Sequence, residues 1–190
     1  MVHFYSTLVV YFSLTLDNYI EKGFEWVIGG KLPSLAGGIA LGGSAIIGSE
    51  RLNNGFTARF MWHMRVSDGK NIPSLIGYIY HPGRAGDTGQ FIHGAGSHMS
   101  TISPTTSFTH RPKTSLFEFI TDTWYKVKQT IKANRPYKSD GTMKVSIDDR
   151  LATSYGHMKY IADGKHGKYS IDKFLFATFY GGGTQEYAPF

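Results

Sequence analysis

The chain has 190 residues and no cysteine, which excludes a disulfide framework and any metal site built on thiolates. It also lacks a run long and apolar enough to predict a transmembrane helix. The apolar run Leu8–Leu16 has neither a basic segment before it nor a small-residue cleavage site after it, as a signal peptide would. We therefore interpret this run as part of a strand.

Acidic residues are also few, 14 against 20 lysines and arginines, and the formal net charge is +6. Most of them fall in predicted turns rather than in pairs, which argues against the two-carboxylate chemistry of glycosidases. The eight histidines do not show the tight spacing beside a carboxylate that zinc sites usually show. We expect no metal and no cofactor, and an anionic partner: nucleic acid, an anionic membrane or an acidic polysaccharide.

The abundant aromatic residues (15%) and 23 glycines favour strands and turns over helices. Alternation of apolar and polar residues with period two predicts strands, namely residues 4–16, Phe56–Ser67, Leu75–Tyr80, Trp124–Ala133 and Thr142–Asp149. Tyr169–Tyr180 is apolar on both faces and is expected to be a covered central strand. Together these strands predict a single all-β domain over residues 1–190, an antiparallel two-sheet β-sandwich or β-jelly roll.

The segments between these strands are expected to be turns and loops, in part because glycine and proline interrupt the alternation. They are Asp17–Gly23, the glycine-rich Gly37–Gly48, Gly69–Ser74 and the long aperiodic Gly83–Arg111.

The stretch Phe24–Gly38, FEWVIGGKLPSLAGG, places Lys31 after two glycines and shortly before Pro33. A phosphate-binding loop is excluded, because Glu25 stands where its first glycine belongs and Leu32 where a hydroxyl would bind magnesium. Two interpretations stay open. Lys31 is either a functional lysine on a conformationally specified loop or a surface lysine on a glycine-rich connection.

Two predicted strands each carry a basic face. In Phe56–Ser67 an aromatic face is expected to pack and a polar face to meet water. The polar residues with candidate binding roles are Thr57, Arg59, His63, Arg65 on this strand and Trp124, Lys126, Lys128, Lys132 on Trp124–Ala133. If both strands line one concave surface, they form a groove for a long anion. The alternative is that these lysines and arginines only serve solubility and protect sheet edges.

Tyr78 and Tyr80 are two residues apart, so a strand places both phenols on one face. They either pack structurally or take part in chemistry, since a phenol near Lys or Arg has its ionised form favoured. A tyrosine beside a basic cluster is therefore a candidate proton-transfer group.

In this order, the motifs resemble those of polysaccharide lyase family 14, the alginate and polyuronate lyases of marine molluscs and chlorella viruses. The lysine stretch is similar to the family's lysine motif, and it is followed by FTARFMW at 56–62 and YIY at 78–80. Further landmarks in the same order are WY at 124–125, SDG at 139–141 and FATFYGG at 176–182.

The resemblance implies a β-jelly roll that cuts an acidic polyuronate by β-elimination, either alginate, above all mannuronate-rich alginate, or glucuronan. It implies Lys31, Arg59, Tyr78 and Tyr80 as catalytic residues, with Thr57 in place of the family's serine. His63, Arg65, Trp124, Lys126 and Lys128 are then expected to bind substrate. In three places the chain departs from the family pattern. The Arg59–Tyr78 connection is longer, Gly83–Arg111 has no counterpart, and the chain ends at Phe190, where a further strand is expected.

The family resemblance further implies a secreted protein. We expect a monomer whose partner is an anionic polysaccharide, and neither nucleic acid nor a membrane as a partner. A non-catalytic jelly roll that binds acidic carbohydrate is the alternative from another class, and nucleic-acid binding is third. If neither tyrosine is the base, His81 is the replacement candidate, because it follows Tyr80 directly.

Overall fold

The computed structural model describes residues 11–39, 53–67, 70–82, 90–92, 117–176 and 180. Within these residues the chain forms strands and no α-helix, so none long and apolar enough to cross a membrane. The strands are β1 (Tyr11–Ile20), β2 (Gly29–Lys31), β3 (Ser34–Gly38), β4 (Gly55–Ser67), β5 (Lys70–Tyr80), β6 (Gln90–Ile92), β7 (Thr123–Lys132), β8 (Gly141–Ile147), β9 (Arg150–Met158) and β10 (Lys173–Leu175).

These strands form two antiparallel sheets. The four-stranded sheet has the order β1-β7-β8-β9, and the six-stranded sheet has the order β10-β3-β4-β5-β6 with β2 also paired to β4. The longest pairing joins β4 to β5 from Thr57 opposite Tyr80 to Ser67 opposite Lys70. The predicted all-β sandwich of jelly-roll type is confirmed.

The core lies between the sheets, because β4 and β7 each turn one apolar face inward. Phe56 and Phe60 of β4 are buried in the same cluster as Val127 and Ile131 of β7. The alternate residues of each strand therefore point to the outer face of its sheet. The alternation predicted for Phe56–Ser67 and Trp124–Ala133 is confirmed on the inner side.

One buried polar side chain links the two sheets through this core. The side chain of Gln129, on the inner face of β7, accepts a hydrogen bond from Leu35 N at 2.8 Å. Its amide nitrogen donates to Ala58 O. Both of its polar atoms are thereby satisfied in an apolar interior, which is the condition for burying an amide at modest cost.

Several predicted boundaries are wrong. Asp17–Ile20 belongs to β1 rather than to a turn, and Lys70–Ser74 belongs to β5. The strand β9 (Arg150–Met158) was not predicted at all. Its alternation is disturbed by irregular pairing with β8 between Gly141 and Met143 and between Val145 and Ser146, which hides the period-two signal.

The prediction of a covered central strand at Tyr169–Tyr180 is also wrong. Among the described residues of this segment, 169–176 and 180, only Lys173–Leu175 forms a strand, β10, which pairs with β3 at the end of the sheet order. Phe174 and Phe176 are exposed. Residues 4–10 of the first predicted strand, residues 40–48 and most of Gly83–Arg111 lie outside the described residues. That residues 1–190 form one domain stays a prediction.

Candidate active site

The register between β4 and β5 brings four of the predicted residues next to one another, as two directly opposed pairs. Arg59 lies directly opposite Tyr78, and Thr57 lies directly opposite Tyr80. Directly opposed residues of an antiparallel pair point to the same side of the sheet. We call the outer surface of the six-stranded sheet that carries them the site face, defined by Lys31, Thr57, Arg59, Tyr78 and Tyr80.

The two tyrosines are in direct contact. Their hydroxyl oxygens are 3.0 Å apart, within hydrogen-bond distance, and either one can be the donor. Their rings meet edge to face with centroids 5.3 Å apart. The predicted sharing of a face by Tyr78 and Tyr80 is confirmed, and the contact joins the two phenols by a hydrogen bond.

Each tyrosine also has its own cation. The Lys31 Nζ atom lies 5.8 Å from the ring centroid of Tyr78, and the Arg59 Cζ atom lies 6.0 Å from that of Tyr80. Both distances are within the range of cation–π attraction. The site face therefore holds two phenols hydrogen-bonded to each other and flanked by two positive charges.

Lys31 reaches this face because Gly29–Lys31 is a strand and not the predicted loop. In β2, Lys31 lies opposite Met61 of β4, two residues from Arg59. The pairing of β4 then continues with β3, where Leu35 lies opposite Ala58. Between these two pairs, Leu32–Ser34 supplies three residues where β4 has only two, residues 59 and 60. The one extra residue makes a β-bulge, a position that tolerates the missing N–H of Pro33.

The glycine before the lysine is needed for close packing. A Cβ added to Gly30 would come within 1.9 Å of the Trp62 ring. That ring lies in an aromatic cluster, with edge-to-face contacts to Phe24 at 5.5 Å and to Trp26 at 5.9 Å. Gly30 therefore lets the Trp62 indole lie directly against β2, and this packing positions the strand that carries Lys31.

Burial acts on both cations. It lowers the pKa of Lys31 below that of an ordinary lysine, and the positive charge of Arg59 adds to the effect. Burial also lowers the pKa of Arg59, while Tyr80 and Tyr78 act in the opposite direction. Desolvation and like charge are the expected causes of such shifts. The arrangement thus keeps two cations in an environment where an anion would be strongly favoured.

The prediction that this face meets water is wrong for much of it. Thr57 and Tyr80 are buried, as are Met61 and His63 further along β4, whereas Lys31, Arg59 and Tyr78 are half-buried. A sequence alternation identifies the two faces of a strand, but tertiary packing decides what covers each of them. A half-buried cationic site has the character of a cleft rather than of a solvated surface.

The remaining predicted residues near this face lie farther from its centre. His63 is on the site face opposite Ser74, four residues from Arg59 along β4, or about 13 Å. Arg65 lies two residues beyond, and its side chain is outside the described part of the structure. His81 directly follows β5 and is almost fully buried.

Trp124, Lys126 and Lys128 do not join this site. They belong to β7 in the other sheet and are exposed, while Tyr125 and Val127 between them are buried in the core. They therefore lie on the outer surface of the opposite side of the sandwich. The predicted single groove lined by both basic strands is wrong, because the inner faces of β4 and β7 pack on each other.

Three neighbours of the site were not among the predicted site residues. Met61 and Ile76 lie opposite each other between the Arg59–Tyr78 and His63–Ser74 pairs, and all three of Met61, Ile76 and Ser74 are buried. The alternation in β4 already placed Met61 on this face, so it was available as a signal. Ile76 and Ser74 follow only from the register with β5, which the sequence does not reveal.

Among the described residues, no group of three or more histidine, aspartate or glutamate side chains is placed to bind a metal ion. The expectation that no metal takes part stays a prediction.

The chain matches the model of one protein family, Polysaccharide lyase 14, over residues 5–190. No curated protein matches it significantly.

Three solved structures illustrate the similarity of fold. The marine PL-14 alginate lyase from Aplysia kurodai is 24% identical with a TM-score of 0.62, and the match covers 96% of this chain and 65% of that one. The Chlorella virus alginate lyase is 18% identical with a TM-score of 0.56 and coverage of 92% and 63%. A double variant of another alginate lyase, solved with an alginate trisaccharide, is 22% identical with a TM-score of 0.64 and coverage of 93% and 62%. The chain thus spans somewhat less than two thirds of these proteins.

Proposed function

Because the chain belongs to polysaccharide lyase family 14, we propose that it is a lyase that cleaves an acidic polyuronate by β-elimination. The substrate we propose is alginate, above all mannuronate-rich alginate, with glucuronan as the other polyuronate. The observation that carries the proposal is the hydrogen-bonded pair of Tyr78 and Tyr80 between Lys31 and Arg59.

β-Elimination requires the C5 proton of a uronate to become acidic. That happens when the adjacent carboxylate is neutralised and the enolate-like charge is stabilised by oriented donors and cations. Arg59 suits this role, because among the described residues nothing accepts a hydrogen bond from its buried Nε atom. A guanidinium can bind a carboxylate through two parallel hydrogen bonds. Thr57, two residues away on the same face, adds a hydroxyl.

The tyrosine pair supplies both proton transfers. One phenol, in its ionised form, accepts the C5 proton while a C4–C5 double bond forms and the C4–O4 bond breaks. The other phenol donates its proton to the leaving O4. The base is then neutral and the acid is ionised, so one proton passing across the 3.0 Å contact restores the starting state. Which tyrosine is the base stays open.

Lys31 adds positive charge over the unit being cleaved. It lies over the ring of Tyr78 and is electrostatically coupled to Arg59. Its lowered pKa also makes its neutral amine more accessible than that of a surface lysine, which is the property of lysines that act as bases. We assign Lys31 the electrostatic role and not the role of the base. The phenylalanine variants of Tyr78 and Tyr80 distinguish these two roles.

The alternative is a jelly roll that binds acidic carbohydrate without cleaving it. The test is to incubate the protein with alginate, polymannuronate, polyguluronate and polyglucuronate and to follow the ultraviolet absorbance of the unsaturated uronate product. We expect a rise with at least one polymer, and the same rise in the presence of EDTA. Binding without any rise in absorbance would favour the non-catalytic alternative, and loss of activity in EDTA that one added metal restores would exclude the metal-free mechanism.

Two further proposals concern location and assembly. A secreted location rests on the family alone and suits an enzyme that degrades an extracellular polymer, whereas a monomeric state is a separate expectation for this chain. Fractionation of a producing culture tests the first, and light scattering of the purified chain tests the second.

A further inference from the structure

The outer surface of the four-stranded sheet is a second basic surface, distinct from the site face. We call it the lysine face. Its residues come from β1, β7 and β8 and are joined by the antiparallel register, which places Tyr19 opposite Trp124 and Thr130 opposite Lys144. The face is defined by Tyr19, Trp124, Lys126, Lys128, Lys132 and Lys144.

One end of this face carries an exposed aromatic pair. The rings of Tyr19 and Trp124 are 5.2 Å apart at an angle of 33°, and the two residues are 43% and 65% exposed. The hydroxyl of Tyr19 donates a hydrogen bond to Asp122 Oδ1 at 2.7 Å, which holds the ring in place. Large aromatic rings held in place on the surface are typical of binding sites, and pyranose rings stack on them through their apolar faces.

Next to this pair, lysines alternate with hydroxyl groups. Lys128 lies opposite Ser146, and Lys144 lies opposite Thr130, so the two lysines are diagonal neighbours at about 7–8 Å. Both are exposed, and among the described residues no carboxylate lies within ion-pair distance of either. This pattern of cations and hydroxyls complements a chain of uronates, which repeats a carboxylate and hydroxyls on each unit.

Lys126 is different, because it has acidic neighbours, and exposed Asp17 lies directly opposite it on β1. The Lys126 Nζ atom lies 3.6 Å from Asp149, and both side chains are largely exposed. Such surface pairs contribute little energy, so a polyanion can replace Asp149 at low cost.

Lys132 also has an acidic neighbour, because it interacts electrostatically with Asp140. Lys128, Lys144 and the aromatic pair therefore carry the argument.

We propose that the lysine face is a second binding surface for the anionic polysaccharide that the active site cleaves. This inference rests on the proposed function for the identity of the polymer. Each contact on an exposed face is weak, but a long chain makes many at once and raises the concentration of substrate around the enzyme. Lysines that served only solubility would not require an aromatic pair held in register beside them.

The test measures binding without cleavage, in a Lys31→Ala background. The lysine-face variant combines Trp124→Ala, Lys128→Ser and Lys144→Ser. The matched control combines Tyr137→Asn, Lys165→Ser and Lys168→Ser, so it also loses one aromatic residue and two positive charges. Tyr137 is exposed in a turn with positive φ, which asparagine tolerates. Circular dichroism establishes that both variants fold.

We expect the lysine-face variant to bind long alginate at least fivefold more weakly than the control in calorimetry, with binding of an alginate trisaccharide changed less than twofold. The affinity of the control protein for long alginate should fall with salt, and an uncharged glucan should not bind. Equal polymer affinity of the two variants overturns the proposal, and so does an equal loss for the trisaccharide. Tighter binding of single-stranded DNA than of alginate to this face overturns it as well.

This result is separable from the outcome for the active site. A chain that releases no unsaturated product but loses polymer binding in the lysine-face variant refutes the lyase proposal and supports the second surface. A chain that cleaves alginate, but whose lysine-face and control variants bind the polymer equally tightly, supports the lyase proposal and refutes the second surface.

Discussion

The site face and the lysine face are built from the same residue types, but they differ in burial. On both, tyrosine or tryptophan lies beside lysine or arginine at alternate strand positions. On the site face Lys31 and Arg59 are half-buried and their pKa values are lowered. On the lysine face Lys126 and Lys128 are exposed, and the ion pair of Lys126 with Asp149 is a surface pair. Desolvation therefore separates a face suited to chemistry from a face suited at most to weak binding.

The largest effect should come from the tyrosine hydroxyls. Tyr78→Phe and Tyr80→Phe keep the rings and remove the 3.0 Å contact between the phenols. Loss of a general acid or base costs typically 10²–10⁴ in rate, so we expect both variants to lose about that much turnover. Tyr137→Phe, which removes an exposed hydroxyl in a turn, is the matched control.

The pH dependence of turnover assigns the base. Only an ionised phenol accepts the C5 proton, so turnover of the wild type should rise toward alkaline pH, and the variant that lacks the base should lose this rise. Normal turnover of both phenylalanine variants would show that neither tyrosine transfers a proton. The base would then be sought in Lys31, whose pKa is lowered, or in His81.

The next largest effect concerns the two cations of the site face. Lys31→Ala and Arg59→Ala should each reduce turnover by about 10²–10³, the usual cost of losing one oriented stabiliser of developing charge. Lys168→Ala, at an exposed turn position, removes the same charge elsewhere and should leave turnover within about twofold of the wild type. Initial rates on alginate measure all three. A folded Lys31 or Arg59 variant with near-normal turnover would remove that residue from the mechanism.

The contents of the site face could be predicted because its residues follow strand alternation and family motifs. Alternation alone predicted that Arg59 shares a strand face with Thr57, and that Tyr78 shares one with Tyr80. It could not show that Arg59 lies opposite Tyr78, since register depends on partners distant in the chain. The resemblance to the family supplied that grouping and added Lys31.

The errors have physical causes of the same kind. Gly29 and Gly30 indicated a loop, but Gly30 serves close packing against Trp62 within a strand. The basic residues of β7 were grouped with those of β4 because their patterns are alike. The sheet to which a strand belongs is a property of the whole fold, and no local pattern records it.

A third prediction compares one glycine from each sheet. Gly30→Ala places a Cβ 1.9 Å from the Trp62 ring, so β2 or the indole must shift. Overpacking of this kind typically costs about 1–3 kcal/mol, and the displacement of β2 should also reduce turnover. In β9, exposed Gly156 has nothing within 4 Å of an added Cβ, so Gly156→Ala should change the unfolding free energy by less than about 1 kcal/mol. Urea unfolding measures both, and equal costs would contradict the packing role of Gly30.

The smallest expected effect is a dependence of stability on pH that comes from Lys31. Its folded pKa is lowered by burial and by Arg59 from the ordinary value of 10.5. Between the folded and unfolded pKa values the unfolded chain binds the proton and the folded protein does not. The unfolding free energy should therefore rise with pH in this window. Its slope corresponds to a difference of at most one bound proton between the unfolded and folded states.

Lys31→Met isolates this contribution, because methionine has a similar length and no charge. Below the folded pKa the wild type carries the cost of a half-buried charge, so the variant should be the more stable protein. This difference should shrink as pH rises through the folded pKa and become constant above 10.5. In an Arg59→Gln background the pH range over which the difference changes should be narrower, since one of the two causes of the lowered Lys31 pKa is gone. Urea unfolding from neutral to alkaline pH measures the difference, and a difference independent of pH would show that Lys31 keeps an ordinary lysine pKa on the site face.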